Sequence, residues 1–476
     1  MKLFLIWAAP YSQMEQLINK LKENGHSIPY WVGLYENGKA PDLQGTVFHD
    51  HYDAWVCEPA KGIDPSEFPP PSKDLIEKMY KTESIVLTMM NKKFDTLCVD
   101  ERRHIYYNML QYWDGLIEKY KPDAIIFPAI PHTVYNYIIY SLARMLNIKT
   151  VMFDDTWVAN RVLTYSDWID GSSDLRNAIE KNKKSNCSID DLSQDIKQYY
   201  MIHSDKQKDS EPVYMKHYRN LIAGRKNIFF RRLKITLVSV KDGTIFNKLF
   251  RFALKQFRMN LKTEYESVQV PPVFSEKFIY VALGFQPEMV TSPMGDMYAD
   301  QILMIDTLSA SLPEGWTIYV KEHPGQWWLR GGLNYSSARY PGFYNRISKI
   351  NNVKLVPIVT DTFSLIKNSQ TVAVVTGTPG WEAILRSKPA LIFGYPWYRD
   401  CPGVFRISGL DSCRAALEKI KSGFDVKESE VINYLKSLGD VTIQAYLESV
   451  PERELTISPE EAKVNLADKI LANISK

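Results

Sequence analysis

Two short segments bring together residue types suited to holding a charged ligand. KEHPG (Lys321 to Gly325) and TGTPGWEA (Thr376 to Ala383) each follow an apolar run of strand character, and ligands of open α/β sheets bind beyond the carboxyl ends of the strands. In the second segment, Gly377 and Gly380 allow a tight turn and close backbone approach. Thr376 and Thr378 supply hydroxyls, and the helix that begins there offers N–H groups and a positive dipole end, a combination that suits a phosphate. Glu382, one turn further, is placed to accept hydrogen bonds from a ribose diol. In the first segment, His323 stands where a strand ends, between Lys321 and the rigid–flexible pair Pro324 and Gly325. An imidazole there can donate to a nucleotide phosphate or protonate a leaving group near neutral pH. Read singly, the two segments are an ordinary strand-to-helix turn and a loop-capping histidine; together, they favour a shared ligand.

Other polar residues follow strand-like runs in the same way. Gln286, Pro287 and Glu288 come directly after FIYVAL (Phe278 to Leu283), so Glu288 is expected to orient a ligand or act in catalysis, its alternative being a cap or an ion pair. In the first half, His132 follows DAIIF, and Asp154 and Asp155 end KTVMFDD. Either type could take a proton from a hydroxyl, and adjacent carboxylates push one pKa upward; turn capping is the commoner use of such an Asp. Asp167 is a weaker candidate of the same kind. His49 and His51 in VFHDHYD have metal-ligand chemistry, but a solvated loop is the preferred reading. The five cysteines, Cys57, Cys98, Cys187, Cys401 and Cys413, form no CxxC or Cys/His cluster. Structural zinc is therefore not expected, and a reducing compartment is.

The elements that must position these groups alternate. Lys2 to Ala8, His26 to Val32, Asp123 to Phe127 and Lys149 to Phe153 read as strands, with helices at Met14 to Asn24 and Tyr135 to Leu146 between them. A second series starts near Phe278 and runs through TIYVK, TVAVV and PALIF, interleaved with helical stretches. Apolar strands alternating with helices imply parallel sheets covered on both faces, and 476 residues exceed one ordinary core. The opening MKLFLIWAAPYSQ is better read as a buried strand than as a leader, because its apolar run is short and helix-forming residues follow at once.

Net charge is only +3, so nothing global points to nucleic acid. The charge is local: residues 216–262 hold thirteen Lys or Arg against the single acid Asp242. Within them, Phe246 to Lys262 spaces Phe and Leu at helical intervals with basic residues largely on other faces. That pattern reads as a helix on anionic lipid or as one packed on the protein with a solvated basic rim.

KEHPGQ with TGTPGWEAILRSKPALIFGYPWY resembles the bacterial capsule polysaccharide biosynthesis family, which is similar to β-Kdo transferases and distantly to bacterial sialyltransferases. FQPEMVTSPMGDMYADQ (Phe285 to Gln301) and PHTVYNYIIYSLARMLNIKTVMFDDT (Pro131 to Thr156) resemble stretches of the same group. The resemblance implies an α/β, GT-B-like fold: two Rossmann-type doubly wound domains facing a central cleft. Residues 1–170 would bind the acceptor, 171–270 would form a polar then basic helical insertion, and 271–425 would bind the nucleotide sugar. Residues 426–476 would be helices crossing back to the first domain. His323 and Pro324 match the family's HP motif, and Thr376, Gly377 and Thr378 its hydroxyl-rich turn, both of which bind the phosphate of a CMP-sugar.

The implied activity is transfer of an acidic ulosonic sugar, of Kdo or nonulosonic type, from a CMP-activated donor to a growing capsule or lipopolysaccharide glycan. No metal or other cofactor is expected. The partners would be the nucleotide sugar, a glycan or glycolipid acceptor and an anionic membrane surface, with no nucleic acid. The catalytic candidates are then His323, Glu288, His132 and Asp155. The nucleotide side comprises Lys321, His323, Pro324, Thr376, Gly377, Thr378, Gly380 and Glu382. Gln286 and Arg330 face the donor sugar, with Lys321, Arg330 or Arg386 available for its carboxylate. The alternatives are a UDP- or GDP-sugar transferase of the same fold and a non-catalytic polysaccharide-binding or export component. The expected location is the cytoplasm, peripheral to the inner face of the cytoplasmic membrane.

Overall fold

A computed structural model describes residues 1–183, 187–207, 245, 261–328, 338–447 and 457–475. The basic amphipathic stretch 216–262 falls almost wholly outside these residues, as does Arg330.

The first sheet is built on β1 (Lys2–Ile6), whose Leu3 to Ile6 are buried on both faces. The chain then turns at Pro10 into the helix Tyr11–Glu23, which buries Met14, Leu17, Ile18 and Leu21. That i, i+3, i+4, i+7 stripe is the face a helix lays on a sheet, and Gly25 at φ +79° ends the helix. β2 (Ser27–Gly33), β3 (Val47–Asp50), β4 (Ala124–Phe127) and β5 (Lys149–Asp155) join β1 in parallel in the order β3-β2-β1-β4-β5. β6 (Arg161–Tyr165) and β13 (Ile443–Gln444) extend the far edge antiparallel.

The second sheet comprises β7 (Lys277–Ala282), β8 (Trp316–Lys321), β9 (Val353–Leu355), β10 (Thr371–Val374), β11 (Ala390–Ile392) and β12 (Val404–Arg406). All pairs are parallel, in the order β9-β8-β7-β10-β11-β12. Each sheet therefore reverses its winding once, between β1 and β4 and between β7 and β10. Such switch points open the crevice in which doubly wound folds hold ligands. The fold is two Rossmann-type α/β domains facing a cleft.

The domains share apolar packing beside that cleft. Trp168 of the first meets Tyr395 of the second edge-on, with ring centroids 5.3 Å apart. The guanidinium of Arg399 donates to the carbonyls of Trp168 (2.8 Å) and Ile169 (3.2 Å). Gly171, at φ +79°, leaves room for it: a Cβ there would stand 2.2 Å from Arg399 Nη2. The helix Glu428–Val441 packs on Ser173–Asn182, after which β13 joins the first sheet and the helix Pro459–Ile474 packs on Tyr11–Glu23. Lys20 with Asp468 (2.6 Å) and Lys149 with the Ile474 carbonyl (3.0 Å) fasten that last helix.

Candidate functional site

In the second domain, the loops after β8, β7 and β10 lie side by side on one sheet edge, because their strands are neighbours. The middle loop, 283–295, is bonded to both others. On one side, Gln286 and Gln326 exchange backbone and side-chain hydrogen bonds of 3.1 Å. On the other, Thr376 Oγ1 donates to the Val290 carbonyl at 2.6 Å. Tyr395 N–H donates to the Met294 carbonyl and closes the row. The segments carrying His323 and Thr376 to Thr378 thus flank a common loop at the switch point.

Gly377 caps the helix Thr378–Leu385 without a side-chain acceptor, leaving that role unused by the protein's own side chains. The turn is held by Tyr398, whose hydroxyl donates to the Gly377 carbonyl at 2.6 Å. Gly380 makes this approach possible, since a Cβ there would lie 2.5 Å from the Tyr398 hydroxyl. Thr378 and Glu382 are half-buried.

His323 accepts a hydrogen bond on Nδ1 from Gly325 N–H (3.1 Å), so the proton of its neutral ring sits on Nε2. Burial pushes its pKa down to about 4; Glu322 opposes this, while Arg339 and Lys321 add to it. At neutral pH, His323 is therefore a donor through Nε2–H rather than an acid. Below it lies a network that sequence reasoning missed. Arg339 meets the Glu322 carboxylate through Nε (2.7 Å) and Nη2 (3.2 Å), and that carboxylate also accepts from Tyr344 Oη (2.7 Å) and His323 N–H (2.8 Å). Arg339 further donates to Gln286 Oε1 and the Gly284 carbonyl, tying the β7 and β8 loops together.

This geometry gives several expected ligand contacts a structural task. Gln286 is buried, its side chain engaged by Arg339 and, through Nε2, by the Ala299 carbonyl (2.7 Å). Lys321 is buried with Nζ on the Thr360 carbonyl (2.5 Å) and Thr362 Oγ1 (2.8 Å). Arg386 is buried against the carbonyls of Asp205 and Glu382.

Glu288 reaches the other way. Its carboxylate meets Lys92 of the first domain at 3.5 Å, with both side chains part-exposed. Lys92 in turn lines a cavity of about 240 Å³ at the first domain's switch point, between the ends of β1 and β4, together with Trp55, His51, His132 and Asn136. His132 Nδ1 lies 2.8 Å from the Ile130 carbonyl, which only accepts, so Nδ1 carries the proton and Nε2 is the basic nitrogen of the neutral ring. Asp155 does not line this cavity. β5 turns back into antiparallel β6, and Asp155 Oδ1 caps that turn by accepting from Trp157 N–H (2.9 Å). Asp167 holds Tyr140 and Arg144.

The HDH segment is not the solvated loop expected. His49 is buried on β3 between Tyr30 Oη (2.7 Å) and the Glu58 carbonyl (2.9 Å), and His51 faces the cavity. A larger hollow of about 670 Å³ lies beside Lys277 and Trp316, at the opposite strand ends from those that hold ligands in such sheets. Among the described residues, no group of His, Cys, Asp or Glu is arranged to hold a metal, and no helix is long and apolar enough to cross a membrane.

Residues 290–433 match the family described as capsule polysaccharide biosynthesis protein. That segment contains both His323 and the Thr376 turn, so the family resemblance holds where the motifs lie. Among solved structures, the chain is similar to the KpsC β-Kdo 2,7 transferase of Thermosulfurimonas dismutans, at 13% identity over 76% of this chain and 90% of that one, with a TM-score of 0.31. It is also similar to the KpsC β-Kdo 2,4 transferase of the same organism, at 13% identity over 66% and 87%, with a TM-score of 0.27. A third is the UDP-GlcNAc 2-epimerase of Methanocaldococcus jannaschii, at 11% identity over 88% and 92%, with a TM-score of 0.22. At such identities and TM-scores, the likeness assigns no activity to this chain. No curated protein matches it.

Proposed function

We propose that the protein is a glycosyltransferase of capsule biosynthesis. In this reading, it moves an acidic ulosonic sugar from a CMP-activated donor to a surface glycan of the capsule or lipopolysaccharide type. The observation that carries it is the Lys92–Glu288 pair, which sets the loop bonded to the His323 and Thr376 segments against the cavity at the first domain's switch point. The strand-end loops of the second domain offer a hydroxyl-rich turn, a helix N-terminus and the Nε2–H donor of His323, groups suited to a phosphate. The first-domain cavity has a mixed lining with a basic imidazole nitrogen, suited to a hydroxyl acceptor. The match of residues 290–433 to the capsule polysaccharide biosynthesis family fits this reading.

In the reaction, the nucleotide phosphate sits against the turn Thr376, Gly377, Thr378 and against His323. The N–H groups of the turn, the Thr378 hydroxyl and His323 Nε2–H stabilise the charge that grows as the sugar departs, while the Thr376 hydroxyl holds the turn to the Val290 carbonyl. Glu288, held by Lys92 at the cleft, orients the groups between the two crevices. No step requires a metal. The membrane surface remains part of the proposal through residues 216–262, which would keep the enzyme near a lipid-linked acceptor.

Calorimetry with CMP, UDP and GDP tests the donor. CMP preference, weakened by His323→Ala and Thr376→Val with the fold retained, supports the reading. Preference for UDP removes the ulosonic-acid donor, and the absence of any nucleotide binding favours a polysaccharide-binding role. Flotation with anionic vesicles tests the membrane contact, which fails if the protein stays unbound.

A further inference from the structure

The 240 Å³ cavity at the first domain's switch point contains a second imidazole with its own fixed environment. His51 Nδ1 lies 2.8 Å from Tyr135 Oη, and both groups are part-buried or buried. A phenol is the better donor of the two and an imidazole nitrogen the better acceptor, so the Tyr135 O–H donates to Nδ1 and His51 keeps its proton on Nε2. His132 has the opposite tautomer, with Nδ1–H on the Ile130 carbonyl and its lone pair on Nε2. One cavity therefore offers one imidazole as donor and one as acceptor. Burial lowers the pKa of His51 to about 4; Asp50 opposes this, while His132 and Lys92 add to it, so the His51 ring stays neutral and keeps its single Nε2–H donor at neutral pH. The volume is smaller than that of pockets for drug-sized ligands and suits roughly one sugar ring.

Building on the transferase reading above, we propose that this cavity receives a single sugar residue bearing adjacent hydroxyls. His132 Nε2 accepts the proton of the attacking hydroxyl, and His51 Nε2–H holds the neighbouring oxygen. In the transfer, the acceptor O–H bond breaks as its oxygen bonds to the anomeric carbon of the donor, and the proton passes to His132 Nε2. The bond from that carbon to the phosphate oxygen breaks, and its electron pair leaves with the nucleotide. His51 acts as a binding residue that fixes which hydroxyl is presented. Lys92, on the cavity wall and paired with Glu288 across the cleft, places the site opposite the loop that joins the His323 and Thr376 segments.

The test uses the full chain with methyl β-D-galactoside as probe and cyclohexanol as a ring with a single hydroxyl, read by saturation-transfer NMR. The galactoside should bind and cyclohexanol should fail to displace it. His51→Leu should weaken binding about tenfold, the equivalent of one lost hydrogen bond. His51→Gln, which places an amide N–H near the position of Nε2–H, should stay within about threefold of wild type. CMP calorimetry on the same variants is the independent arm and should not change. If CMP binds but the galactoside does not, or if His51→Leu binds it as wild type does, the cavity assignment is overturned and the donor reading stands. If no nucleotide binds, the transferase reading falls and this assignment falls with it.

Discussion

Replacing Arg339 with Met tests whether the buried network beneath His323 is what holds the second domain's ligand edge together. The side chains of Arg339 and Glu322 are 1% and 0% exposed and meet at 2.7 Å. Met matches much of the arginine stem but leaves the Glu322 carboxylate buried with, among the described residues, Tyr344 Oη and His323 N–H as its remaining donors. Removing one partner of such a pair costs about 3–5 kcal/mol. For a domain of 150–250 residues, each kcal/mol lowers the melting temperature by roughly 2–4 °C, which gives a fall of about 6–20 °C. Differential scanning calorimetry should show that fall in the transition of the second domain. Adding Glu322→Leu should recover part of it, because the double variant buries no unpaired charge. CMP affinity should drop in Arg339→Met below the temperature of its transition, since Gln286 and the Gly284 carbonyl lose the same partner. A fall of less than about 2 °C, or a double variant no more stable than Arg339→Met, would refute the reasoning.

Three further outcomes follow from named contacts. Gly380→Ala drives a methyl toward the Tyr398 hydroxyl and Val374 Cγ2 (2.5 and 2.9 Å), so it should cost about 1–3 kcal/mol in denaturant titration and weaken nucleotide binding. Lys92→Ala removes a part-exposed pair with Glu288, so stability should change by less than about 1 kcal/mol while transfer falls; a large loss of stability would contradict this. Asp154 is buried beside Asp155, and burial raises its pKa to about 7, with Tyr165 and Arg399 opposing. Its folded form holds a proton that the unfolded chain releases near pH 4, so its contribution to stability falls as pH rises from about 4 to 7. Asp154→Asn should therefore gain on wild type progressively across that window, as read by melting temperature against pH; a constant difference would rule this out.

The repeating strands were legible because burial on both faces leaves continuous apolar runs: KLFLI, AIIF, KFIYVA, WTIYVK and TVAV all became strands. The turn after β10 was legible for a local reason, two glycines and two threonines at a strand end. What escaped depended on partners distant in sequence. Nothing near Arg339 announces that Glu322, seventeen residues back, will be its counterion. Nothing near His51 announces Tyr135, eighty-four residues on. Lys321 and Arg386 read as candidates for a sugar carboxylate because a free cation is a fair guess from sequence, yet carbonyls of the fold engage both. Asp155 was read as following a strand into a ligand-facing loop, whereas the chain reverses there into β6. His49 escaped for the same reason: its partners, Tyr30 and the Glu58 carbonyl, come from other elements, and the polar end of VFHD is the end they cover.

The last helix and β13 have a consequence for biosynthesis. The first domain's sheet edge and one of its outer helices are made from residues 443–444 and 459–474, so a ribosome must release almost the entire chain before that domain can close. Until then, Leu17, Leu21 and Phe153, which later share a core with Leu466 and Ile470, lack their cover. A nascent chain would thus carry an open apolar face for an interval set by translation of the second domain, and a protein truncated before residue 443 would be expected in inclusion bodies, because that core would stay uncovered.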